Sequence, residues 1–257
     1  TGTEYENANI AAALKAGYAV LVTDYAGYLS GNAGPTYMAG ASQGHAVLDI
    51  FKAATQIPAA GVQANAPVAI WGYSQGGQSA SFAAEQLTSY APELNVVGVA
   101  SGGTPSDLKA TARMLNGSYG FAFLASSMVG LNHEYGDKGW VSMPIYLIAN
   151  DQGKAALAKL GTQCIFTALF EVMNDNISDY VKNAVTLESL MGVDPVRRAL
   201  EAQLLGTRPV AVPQYLFHGQ ADEFIPLEQS YALKKAYCAS HANVTYELYP
   251  GDHITTL

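Results

Sequence analysis

The sequence predicts an α/β fold, a mostly parallel sheet flanked by helices with a helical cap inserted part-way along the chain. Three observations lead there. The first third alternates helix-spaced and strand-like apolar patterns, joined by short connections punctuated with Gly and Pro. From about Ser106 to Gly206 the pattern is mainly helical and rich in large apolar residues, as in Cys164-Ile-Phe-Thr-Ala-Leu-Phe170, and the alternation stops. From Val212 the strand–helix–strand rhythm resumes. The expected division is therefore residues 1–105 for the first part of the core, 106–206 for the cap and 207–257 for the second part.

Taken in order, Thr3–Ala16 reads as a helix with Ala11, Ala12, Leu14 and Ala16 on one flank. Tyr18–Thr23 is a nearly continuous apolar run, the pattern of a strand buried on both faces. Gly31–Pro35 is a loop, and Met38–Ala54 returns to helical spacing with Val47, Ile50 and Phe51 on a common face. Val68–Trp71 reads as a second buried strand, Gln78–Tyr90 as a helix ended before Pro92, and Asn95–Ala100 as a third strand. Connections of this length imply right-handed crossovers and parallel pairing. Beyond the cap, Val212–His218 is a strand, Leu227–Ala239 a helix and Val244–Leu248 the last strand.

Composition removes several classes of function. The chain has 257 residues, 49% of them hydrophobic and 13% charged, which is far from compositions that stay disordered. Its 21 acidic residues against 13 basic ones give a net charge of -8, with no basic cluster interleaved with aromatics, so nucleic acid is not an expected partner. No apolar run reaches the length needed to cross a bilayer, and no basic segment followed by an apolar one opens the chain. The two cysteines, Cys164 and Cys238, match no metal spacing; they could form one disulfide or sit buried as small apolar side chains. No metal or cofactor is called for, and a monomer is expected.

The chemistry starts at Gly72-Tyr73-Ser74-Gln75-Gly76, a G-x-S-x-G pattern with a buried strand before it and a helix after it. That context predicts a nucleophile elbow of the α/β-hydrolase kind. A turn tight enough to lift the Ser74 hydroxyl above the sheet demands negligible side chains at residues 72 and 76, and Gly77 gives the helix room to approach the strand. The backbone N–H of Gln75, at the positive end of that helix, is then one oxyanion donor.

In such an architecture the acid and the base follow the serine in chain order, on loops after late strands. His253 lies just past the last strand, in Tyr249-Pro-Gly-Asp-His253. His45 falls in a helix pattern, His133 in the cap, His218 at a strand end and His241 in a turn, positions read as structural or exposed. Asp222, in the loop His218-Gly-Gln-Ala-Asp222-Glu-Phe-Ile-Pro226, is the leading carboxylate to orient His253. Its rivals are Asp252, whose side chain should point away from its sequence neighbour; Glu223, expected to face the other side; and Asp151, which ends a strand-like run inside the cap. With Ser74 as nucleophile, His253 as general base and Asp222 as its orienting acid, the set is complete for acyl transfer.

With these residues placed, the chain resembles the secretory lipase family along nearly its whole length. The resemblance rests on Gly17-Tyr-Ala-Val-Leu-Val-Thr-Asp-Tyr25, on Gly72-Tyr-Ser-Gln-Gly-Gly77, on Ser89-Tyr-Ala-Pro-Glu-Leu-Asn-Val-Val-Gly98 with Gly102-Gly-Thr-Pro105, and on Tyr237-Cys-Ala-Ser-His-Ala-Asn243. It implies a secreted enzyme acting on acylglycerols and simpler esters beneath a helical cap. It further implies that early strands and a closing helix lie outside this sequence, that the second oxyanion contact is an aspartate upstream of Thr1 rather than Asp24, and that Cys164 and Cys238 pair with cysteines in those outer segments. The same triad would also serve an acyltransferase or a peptidase, and a noncatalytic binding protein on the same scaffold is the remaining reading.

Overall fold

The computed structural model describes residues 6–28, 34–136, 145–183 and 185–257. Among them a four-stranded, wholly parallel sheet runs in the order β1 (Val68–Tyr73), β2 (Val96–Gly102), β3 (Gln214–Gly219), β4 (Val244–Tyr249). Spatial order follows chain order, so every connection steps one strand in the same direction, as right-handed crossovers require. Helix α3 (Gln75–Tyr90) makes the step from β1 to β2, and α12 (Leu227–Ala239) the step from β3 to β4. The step from β2 to β3 carries the whole helical insertion.

Before the sheet come α1 (Asn7–Lys15), which buries no residue, and α2 (Gly40–Thr55). Leu48, Phe51 and Ala54 are the apolar side chains that α2 buries, whereas Val47 and Ile50 of the expected face are half-buried. Leu48 joins Ile70, Phe82, Val99, Leu216 and Tyr237 in the core beneath the sheet, with Val47 packed against it. The insertion comprises α4 (Leu108–Leu115), α5 (Phe121–Gly136), α6 (Ile145–Ile148), α7 (Asp151–Leu160), α8 (Ile165–Glu171), α9 (Ile177–Tyr180), α10 (Leu187–Gly192) and α11 (Asp194–Glu201). It has a core of its own, into which Met38 and the loop residues Phe224 and Ile225 also reach.

Several expectations fail. Tyr18–Thr23 has no regular structure, and Tyr18 and Val22 are exposed. A strand needs a hydrogen-bonded neighbour, and here a wide cleft lined by Tyr18–Val22 on one side and Val68–Trp71 on the other keeps this run from β1. For the same reason β1 lies at an edge of the sheet among the described residues: of its side chains only Ile70 is buried, and Trp71 is 49% exposed. The strand-like run before Asp151 folds as the short helix α6, followed by a single bridge between Ala149 and Val181. Cys164 and Cys238 are both free and both exposed, neither bridged to each other nor buried. Thr3–Tyr5, Gly31–Ala33 and Met143–Pro144 of the sequence-based elements lie outside the described residues. No helix among the described residues is long and apolar enough to cross a membrane.

Candidate active site

Ser74 stands between β1 and α3 with φ 55° and ψ −118°, a backbone conformation that side-chain-bearing residues rarely adopt. Hydrogen bonds on both sides hold it there: its N–H donates to the Gly102 carbonyl at 2.9 Å, and its carbonyl accepts from Gln78 N–H at 3.0 Å. A Cβ on Gly72 would collide with the Gly76 carbonyl, so the turn tolerates only glycine at that position. At Gly76 an added Cβ meets nothing within 4 Å, contrary to expectation. The steric demand falls instead on Gly77, where a Cβ would lie 2.5 Å from the Gly102 carbonyl and 2.6 Å from Thr104 Oγ1. Gln75 opens α3, so its N–H belongs to the first turn, which has no intrahelical acceptor.

All three predicted side chains meet above the carboxyl ends of the parallel strands. Asp222 follows β3 and His253 follows β4. His253 Nδ1 lies 2.7 Å from Asp222 Oδ2, and His253 Nε2 lies 2.9 Å from Ser74 Oγ. A carboxylate only accepts, so Nδ1 carries the hydrogen and, in the neutral ring, Nε2 presents its lone pair to the serine hydroxyl. Asp222 and His253 are both buried. The other carboxylate oxygen of Asp222 accepts the N–H groups of Phe224 at 3.0 Å and Ile225 at 2.8 Å, which turns Oδ2 to the imidazole.

Two residues outside the predicted set grip the His253 backbone. Its N–H donates to Glu223 Oε2 at 2.9 Å, and its carbonyl accepts from the Tyr73 hydroxyl at 2.6 Å. The Tyr73 ring packs against the imidazole with centroids 5.0 Å apart, and Phe224 meets it edge-on at 5.3 Å. Burial, reinforced by the carboxylates of Asp222, Glu223 and Asp252, pushes the Tyr73 phenol far above its ordinary value, so it remains a donor. His218, read from sequence as structural or exposed, is fully buried with Nε2 3.3 Å from Asp222 Oδ2.

Of the three rival carboxylates, Glu223, expected to face the other side, instead reaches the main chain of His253, and the other two do not meet the imidazole. Asp252 accepts the N–H and the hydroxyl of Thr255, each at 2.7 Å, and Asp151 is fully exposed on α7. His45 stacks on Tyr90, His133 Nδ1 lies 3.2 Å from the Pro35 carbonyl, and His241 is exposed in a left-handed turn. Among the described residues no group of three His, Cys, Asp or Glu is placed to hold a metal ion.

Ser74 and His253 open into a small pocket of about 70 Å³, walled by side chains such as Met38, Leu108, Leu131, Leu190, Met191 and Phe224. Two hydroxyls in the wall are already used. Ser127 donates to the Leu124 carbonyl, while Thr111 donates to the Asp107 carbonyl and accepts from Gln229. What enters past the serine therefore meets a mainly apolar wall.

Residues 1–256 match the sequence model of the secretory lipase family. A Mycobacterium tuberculosis protein named as a probable inactive lipase is 32% identical over 95% of this chain and 52% of its own length. A secreted triacylglycerol lipase of Malassezia globosa is 29% identical over 95% of this chain and 50% of its own. The chain thus spans about half the length of the curated relatives it matches. The solved structure of Candida antarctica lipase A in its closed state superposes with a TM-score of 0.76 at 26% identity, over 85% of this chain and 51% of that one. A Legionella pneumophila chain shares the fold at 17% identity with a TM-score of 0.80. This chain belongs to the secretory lipase family and has the α/β-hydrolase fold.

Proposed function

We propose that this chain carries the catalytic centre of a secreted carboxylic ester hydrolase acting on acylglycerols or simpler esters. The observation that supports this best is the continuous hydrogen-bonded line Asp222–His253–Ser74, 2.7 and 2.9 Å, at the mouth of an apolar pocket. His253 removes the hydroxyl proton as Ser74 Oγ attacks the ester carbonyl, and Asp222 fixes the tautomer and balances the imidazolium that forms. The carbonyl oxygen, now negative, takes the N–H of Gln75 as one donor. Collapse of the tetrahedral species expels the alcohol, protonated by His253, and leaves an acyl-Ser74 that water then hydrolyses along the same route. The acyl chain occupies the apolar pocket, with residues 106–206 as the cap over it. Secretion and the acylglycerol class come from the family name and from the names of the Malassezia relatives.

The test is covalent. A fluorophosphonate is expected to label the purified protein once, at Ser74, and Ser74→Ala is expected to keep its circular dichroism while losing the label and about ten-thousand-fold of ester hydrolysis. A relative named as inactive gives the noncatalytic reading its one support. A folded protein that takes no label and turns over no p-nitrophenyl ester would establish that reading and end ours. Faster transfer to an added alcohol than to water would reassign the chain as an acyltransferase.

A further inference from the structure

His218 is the second-last residue of β3 and has no exposed surface. Its Nε2 lies 3.0 Å from the Ile225 carbonyl, an atom that only accepts, so Nε2 carries the hydrogen. Its Nδ1 is buried without a hydrogen-bond partner, so a second proton there would be an unpaired charge in a closed space. The two facts fix one state, the neutral ring protonated at Nε2. That N–H lies within 3.3 Å of Asp222 Oδ2, the oxygen that meets His253.

The contacts close a ring. Asp222 Oδ1 takes the N–H of Ile225, the Ile225 carbonyl takes His218, and His218 leans on Asp222 Oδ2. Through this ring the strand fixes the loop, and the loop fixes the carboxylate. We propose that His218 is a positioning residue of this site: a permanently neutral imidazole whose Nε2–H holds the Ile225 carbonyl and moderates the negative charge on Asp222 Oδ2. This rests on Asp222, His253 and Ser74 acting as proposed above. The ionisable groups facing His218 are Asp222 and His253, with Glu228 of α12 acting from further off. Burial holds its own basicity below the ordinary imidazole value, in keeping with the neutral ring that the geometry requires.

A buried histidine that merely fills space would not govern the titration of His253, and this separates the two roles. His218→Gln keeps an N–H within reach of the Ile225 carbonyl, and His218→Met keeps the volume and supplies no donor. With His218→Met, kcat on a short p-nitrophenyl ester is expected to fall about ten- to a hundredfold, with KM nearly unchanged. Its acid limb is expected to move to higher pH, because an unmoderated Asp222 attracts the proton on His253 more strongly. His218→Gln should restore most of the rate and the original limb. NMR titration of the His253 imidazole reports the same shift without turnover. Equal loss in both variants with an unmoved His253 titration would overturn the proposal, as would wild-type kinetics in His218→Met. A wild type that takes no fluorophosphonate label would instead overturn the catalytic reading, and the NMR titration would still decide the role of His218.

Discussion

The hydroxyl of Tyr73 reaches across 180 positions of sequence to the carbonyl of His253, with Glu223 holding the N–H of the same residue. His253 is therefore anchored through its main chain as well as through its ring. Tyr73→Phe keeps the ring against the imidazole and deletes one hydrogen bond, worth about 1 kcal/mol, so a loss of kcat of roughly fivefold with an unchanged fold is expected. Ester kinetics beside a thermal melt check it, and wild-type kcat in Tyr73→Phe would remove the anchor from the account. At this scale Ser74, Asp222 and His253 were legible because each sits just past a strand, where a parallel sheet collects its chemistry. Tyr73, Glu223 and His218 were not. Their roles depend on which way a side chain or a backbone group points after the strands have been aligned. The nearest signal was adjacency, Tyr73 to the serine and Glu223 to the aspartate, and adjacency alone carries no direction. Gly76 shows the opposite error: the motif demands a small residue there, but the crowding is at Gly77.

At the scale of elements, α4 shows how a local rule supports the pocket. Its N-cap is Asp107, whose Oδ1 accepts the N–H groups of Lys109 at 2.8 Å and Ala110 at 3.3 Å. Its buried face, Leu108, Thr111, Ala112 and Leu115, is one wall of the cavity beside Ser74. Removing the cap leaves two first-turn donors without that acceptor, so Asp107→Ala is expected to cost about 1 kcal/mol of stability. Because the loosened helix lines the pocket, KM for a long-chain ester should rise more than for an acetate ester. Differential scanning calorimetry and the two KM values decide it; equal KM changes would mean that α4 does not contact the acyl chain. Elements with their own start and stop signals were read well, among them α3, α12, β3 and β4. Tyr18–Thr23 and β1 were misjudged because an apolar run says that a segment wants two buried faces, not whether a neighbour is there to bury them. The cleft between them leaves one without a ladder and the other on an edge.

For the whole molecule, the question is what ties the helical insertion to the sheet beneath it. Part of the answer is Glu85, a buried carboxylate on α3. Its Oε1 accepts the N–H of Gly206 at 2.6 Å, where the insertion returns to the core, and the hydroxyl of Tyr237 on α12 at 3.0 Å. One side chain thus joins α3, the end of the insertion and the crossover to β4. Neither the pairing nor its burial shows in the sequence, where Glu85 falls in a helix that also carries exposed polar positions. Burial raises the Glu85 carboxyl above its ordinary 4.5, although the hydrogen bonds from Gly206 and Tyr237 and the charge of Arg208 oppose the rise. A carboxyl raised in the folded state favours folding while protonated, so its contribution is complete below pH 4.5 and is lost as pH climbs through the folded value. Glu85→Gln removes the titration and keeps an acceptor for both partners. Its stability relative to wild type is therefore expected to stay constant at acid pH and to rise steadily as the wild-type carboxylate ionises. Urea unfolding of both proteins across that range reads the difference as a slope. Any fixed cost of the amide cancels out of that slope, and a difference independent of pH would mean that the Glu85 carboxyl titrates alike in the folded and unfolded chain.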